Sequence, residues 1–180
     1  MLIGKRDALK GGTRRGRAGY VMIVLMIAVV VLTVLMLMAV PVWQTEMQRE
    51  AEEELIFRAR QYVNAIGFYV KSHNNLYPQN FEILHLEKFL RRLYPDPVSM
   101  DGRWDMVFQD TSGGEAKFLV VPAHLAQAYF SRAVLVGVCS TSPETAFREY
   151  RGKKKYNEWA FYLGEKENEK MPDLQYEGGQ

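Results

Sequence analysis

The chain has 180 residues, 48% hydrophobic and 24% charged, with 23 lysines and arginines against 21 aspartates and glutamates for a net charge of +2. Beyond residue 19 the charge turns slightly acidic, which leaves no broad basic surface of the kind that binds nucleic acid. One cysteine, Cys139, rules out an intrachain disulfide.

Residues 1–19 form a basic head, with Lys5, Arg6, Lys10, Arg14, Arg15 and Arg17 against Asp7; the remainder of the chain holds 17 basic and 20 acidic residues. The positive balance therefore belongs to the head. An uncharged stretch follows over 18–45, filled mainly by Val, Leu, Ile and Met. A charge at the bilayer centre costs about 2.5–3.5 kcal/mol on insertion scales, and this stretch places none there. As a helix, residues 20–43 span roughly 35 Å, enough to cross the hydrocarbon core. The positive-inside rule keeps the head cytoplasmic and exports everything beyond Trp43. The apolar core is too long for an ordinary secretory signal, and Pro41, Val42 and Trp43 lead into charged helix with no small-residue cleavage site. Pro41 removes a backbone hydrogen bond and predicts a helix bend.

Over 44–74, Met47, Ala51, Leu55, Ala59, Tyr62, Val63, Ile66, Tyr69 and Val70 recur at spacings of three and four, which predicts an amphipathic stem. Arg49, Glu50, Glu53, Arg60, Gln61, Asn64 and Lys71 occupy its polar side. Glu54 and Arg58 stand four apart in the favourable order for a helical ion pair. Asn74, Asn75 and Pro78 end the stem, and Phe81, Leu84, Phe89, Leu90 and Leu93 predict a short second helix stopped by Pro95 and Pro97. Residues 104–109 alternate and, with 117–121 across a Gly-containing turn, predict a β-hairpin. The small and apolar run 133–139 predicts a strand buried on both sides, and 159–163 a fourth strand. Between them, Thr141, Ser142, Pro143 and Glu144 read as a capping box or an N1 proline opening a brief helix through Tyr150. Lys153, Lys154 and Lys155 read as a solvated turn, and 164–180 as a polar flexible tail. A striped stem and a sheet with one apolar face each need a cover, so 75–163 are expected to form a small α+β domain packed on the stem.

No catalytic constellation is legible. His73, His85 and His124 are scattered, and no zinc-protease, nucleophile-elbow or phosphate-loop pattern occurs, so no enzyme is expected. Cys139 lies in an apolar run and reads as a small buried hydrophobe. Asp96, Asp101 and Asp105 offer oxygen ligands and are weak calcium candidates, but their spacing fails the EF-hand pattern and turn chemistry accounts for the first two. No cofactor is expected.

The junction Arg-Gly-Arg-Ala-Gly followed by Tyr20 and an apolar helix resembles the leader of type IV pilins and type II secretion pseudopilins. Pro41 stands where that family places its helix-bending proline, and Tyr77-Pro78 where its stem stops. The run 89–97, Phe-Leu-Arg-Arg-Leu-Tyr-Pro-Asp-Pro, followed by Gly102, Arg103 and Trp104, is similar to a passage of G-type pseudopilins. The resemblance covers roughly the first 105 residues. It implies a pilin-like α+β fold, cleavage after Gly19 by a prepilin peptidase and N-methylation of Tyr20. It also implies a place in the inner membrane with a periplasmic domain, and assembly with other pseudopilins on a secretion platform into a filament that supports protein export. Val24 occupies the family's assembly glutamate position, and Val24, Tyr62 and Ile66 are expected on the assembly surface. The competing expectations are an uncleaved, monomeric, signal-anchored sensor or ligand-binding domain and, last, an anchored envelope enzyme.

Overall fold

The computed structural model describes residues 16–110, 117–166 and 170–177, without the side chains of 16–18 and 38–44. The chain divides into two compact units, Met1–Gln44 and Thr45–Gln180. Helix α1 (Gly16–Ser72) contributes to both. In the first unit, the stretch Gly19–Leu37 is long and apolar enough to cross a membrane, and none of it is buried. Its threonine hydroxyl is satisfied locally, since Thr33 Oγ1 donates to Val29 O at 2.8 Å. The basic head up to residue 15 and the bend expected at Pro41 fall outside the described residues and side chains.

In the second unit, the stem ends at Ser72 because Asn74 and Asn75 adopt left-handed backbone, at φ 52° and 64°. Asparagine tolerates that conformation, and here it lets Asn75 N–H close back on Val70 O at 2.9 Å. Helix α2 (Phe81–Leu86) is shorter than the sequence predicts. Asn80 caps it by accepting from Ile83 N–H, and left-handed Lys88 turns the chain out so that Leu90 N–H reaches Leu84 O.

Strands β1 (Trp104–Asp110) and β2 (Lys117–Val121) form the expected antiparallel hairpin, with Asp110 opposite Lys117. β3 (Val134–Ser140) pairs antiparallel with β1, and β6 (Ala160–Tyr162) with β3. β4 (Thr145–Tyr150) and β5 (Lys153–Lys155) make a separate two-stranded sheet. β7 (Leu174–Tyr176) adds to β2 in parallel, so the main sheet runs β6-β3-β1-β2-β7 and is mixed.

Three expectations are corrected here. Residues 145–150 form a strand, not a helix, because their N–H groups have partners outside the segment. The lysine triplet is the strand partner of that segment and not a turn. The supposed loose tail supplies β7 and buries Met171.

The core has two parts. Leu55, Ala59, Tyr62, Ile66 and Val70 of the stem pack with Trp104, Met106, Phe108, Leu135, Val138 and Phe161 of the sheet. Val107, Val120, Val136, Cys139, Tyr162 and Met171 form a second cluster. The sheet is thus buried on both sides at its centre, as a continuously apolar β3 requires. The register between β1 and β3 shifts at Val107/Phe108. Gly137 sits at that shift, where an added Cβ would lie 1.9 Å from Phe161 O of β6. Only glycine permits the approach.

Candidate functional site

Gly16 opens the apolar helix, so residues 19 and 20 stand in its first two turns. Gly19 lies in α1 with open space where a Cβ would stand, and Tyr20 is 70% exposed. Val24 is also exposed. The described side chains from Tyr20 to Leu37 are all exposed.

A polar clamp joins the base of the stem to β4. Glu52 is fully buried, and its carboxylate accepts from Phe147 N–H, from Arg148 N–H at 3.2 Å and from Tyr156 Oη at 2.9 Å. Arg148 adds its guanidinium at 3.4 Å and reaches Glu53 at 3.2 Å. One turn earlier, Gln48 Nε2 donates to Thr145 O and to Tyr156 Oη. Burial pushes the Tyr156 hydroxyl up to about 12, so it stays a donor. A buried carboxylate is tolerated only when its lone pairs are filled, and here backbone and side-chain donors fill them.

Periodicity alone misplaces this stretch. Met47, assigned to the packed stripe, is 70% exposed, while Gln48 and Glu52 continue the register of Leu55, Ala59, Tyr62 and Ile66. An acid in the register of an apolar stripe was the available signal. Glu54 and Arg58 pair at 2.7 Å as expected, and Arg58 also donates to Pro95 O.

The aspartates lie apart in role. Asp96 is buried, accepting from Ser140 Oγ at 2.6 Å and Val98 N–H at 3.0 Å; burial raises its pKa against those hydrogen bonds. Its oxygens organise the turn before β1. Asp101 is exposed and accepts from Ser99 Oγ at 2.6 Å and Arg103 N–H at 3.2 Å. Hydrogen bonding, chiefly from Ser99, lowers its pKa. Asp105 is half-buried, and desolvation, reinforced by Asp101, pushes it up to about 6. It lines a cleft of about 550 Å³ with Thr141, Lys155, Asn157, Glu158 and Glu177. Among the described residues, no three of His, Cys, Asp and Glu gather as a metal would need. His73 instead pairs with Glu87 at 3.2 Å.

The assembly surface needs one correction. Tyr62 and Ile66 are 2% and 0% exposed and belong to the protein's own core, so neither can meet a second subunit. The Tyr62 hydroxyl donates to Tyr94 O at 3.0 Å, and Trp104 Nε1 donates to the same oxygen at 2.9 Å.

Fold and site together define an α+β protein in which an N-terminal apolar helix, a candidate membrane anchor or signal, precedes a small β-rich domain. Neither protein-family models, curated proteins nor solved structures give a match to the chain.

Proposed function

We propose that this protein is a pseudopilin-like structural subunit, anchored by residues 20–43 and assembled with copies of itself or related subunits into a short filament that supports protein export. One observation carries the reading. A basic head ending at Gly19 leads into an exposed apolar helix from Tyr20, and the same helix continues as an amphipathic stem whose inner face is buried in an α+β domain. A polymerising subunit needs an anchor, a stem and a rigid head, and it needs no catalytic group.

In this reading a prepilin peptidase cleaves after Gly19 and Tyr20 is methylated. The N-terminus faces the cytoplasm of the inner membrane, the domain lies in the periplasm, and the secretion platform is the assembly partner. The second reading, an uncleaved monomeric ligand-binding domain, draws on the cleft beside Asp105 and on Val24, which lacks the acid expected for standard assembly.

Mass spectrometry of the mature N-terminus from native membranes separates the two. N-methyl-Tyr20 is the expected result. An intact Met1, with Gly19→Val leaving size and export unchanged, would overturn the filament reading in favour of the anchored monomer.

A further inference from the structure

Opposite the buried side of the stem runs another stripe at helical spacing: Glu46, Glu50, Glu53 and Phe57, followed by Asn64 and Phe68. All six are exposed, and Phe57 and Phe68 keep 53% and 60% of their surface in solvent. Glu50 has no ion-pair partner among the described residues, while Glu46 and Glu53 face Arg49 at 3.9 Å and Arg148 at 3.2 Å. Acid and phenyl side chains thus share one outward face.

The segment between α2 and β1 carries the opposite chemistry. Lys88, Arg91 and Arg92 are exposed there with Leu93, next to exposed Leu86 at the end of α2, and the neighbouring Glu87 is paired with His73 at 3.2 Å. Lys88 and Arg91 have no acidic partner among the described residues, and Arg92 lies over the Tyr94 ring at 4.9 Å. This segment cannot reach the acidic stripe of its own stem. It is tied to the other side of the helix, where Tyr62 Oη donates to Tyr94 O and Arg58 donates to Pro95 O. The two surfaces are complementary in charge and in apolar content, and they face apart.

We propose that the Glu50–Phe57 stripe of one copy docks on the Arg91–Leu93 segment of a second copy of this chain. The contact uses a different patch on each partner, so every added copy still presents a free patch of each kind and growth is open-ended. Anchoring copies in one membrane raises their effective concentration, so a modest contact suffices. The inference rests on the assembly reading above and names the contact that reading leaves open.

The test uses the full-length chain in membranes. Cys139 is fully buried and does not compete with introduced thiols. Chains carrying Glu50→Cys together with Arg91→Cys are expected to give a disulfide ladder beyond the dimer on mild oxidation, with neither single variant forming a disulfide dimer. In chains without added cysteines, Glu50→Arg should cut the yield of oligomers trapped by a lysine-reactive cross-linker about tenfold, since like charges then face each other. Adding Arg91→Glu should restore it. A disulfide dimer from Glu50→Cys alone, or a ladder from Glu50→Cys with Lys154→Cys, would overturn this contact while leaving assembly intact. Absence of wild-type oligomers under every cross-linker would overturn the assembly reading and this contact with it.

Discussion

Glu52 and Asp105 are both acids taken partly or wholly from water, and their surroundings give them opposite consequences. Glu52 is filled by donors from β4 and Tyr156, so removing its charge strands those donors. Glu52→Gln places an amide N–H₂ against backbone N–H groups and should destabilise the domain by about 3 kcal/mol. Urea unfolding of the detergent-solubilised chain measures the loss, and hydrogen exchange at Phe147 and Arg148 should quicken first. Asp105 has a folded pKa of about 6, raised above its ordinary value, mainly by burial. The folded state therefore holds a proton that the unfolded state has released between about pH 4 and 6. Stability from this group is full below about pH 4 and is lost as pH rises towards 6. Asp105→Asn should flatten that part of the pH profile and raise stability at pH 7 by on the order of 1 kcal/mol, allowing for screening at a half-exposed group. Melting temperatures across pH 4–8 test it, and an unchanged slope would sink it. The register of Glu52 hinted at its burial, but neither its partners nor the behaviour of Asp105 was legible in the sequence. The Glu52 partners on β4 lie 95 and 96 residues away, and the burial of Asp105 depends on strands that only the fold brings together.

Elements with a strong local period were readable, and those defined by distant backbone partners were not. The stem from Leu55 to Val70, the β1–β2 hairpin and the doubly buried β3 follow from spacing and composition. β4 was misread because Thr141 to Glu144 carry genuine helix-start chemistry. Glu52 and β5 nevertheless take the N–H and C=O groups that a helix would pair internally. β7 was missed because its stability comes from backbone pairing with β2 and from Met171 and Leu174 on the second core cluster, which a polar composition conceals. Gly137 is the sharpest element-scale test. Gly137→Ala would drive a methyl group into the β6 backbone, and the cost should lie at or above the upper end of the roughly 1–3 kcal/mol seen for overpacked cores. The expected readout is lost exchange protection in β6 with β1–β2 retained; equal protection in all three strands would show that the sheet can relax around the added atom.

At the scale of the whole molecule, the apolar helix and the β-rich domain obey different solvents. Ala28→Arg combined with Leu32→Arg puts two charges in the central part of the exposed stretch Gly19–Leu37 and should cost about 5–7 kcal/mol of insertion, comparable to the gain from its Leu, Ile and Val residues. It should shift the protein from the membrane pellet to the carbonate-soluble fraction without changing the unfolding of the domain. An unaltered pellet fraction would mean that this helix is not the anchor. The sequence by itself determined the apolar helix, the basic head before it, the striped stem and the central strands, because each is written in a short-range pattern of charge or hydrophobicity. Tertiary structure decided what those patterns were for. It spent Tyr62 and Ile66 inside the core, buried Glu52 on the edge of β4, enlisted the polar C-terminal segment as a strand and left Phe57 and Phe68 in water. Burial depends on which distant backbone and side-chain groups arrive at the same place, and that is settled only when the chain closes on itself.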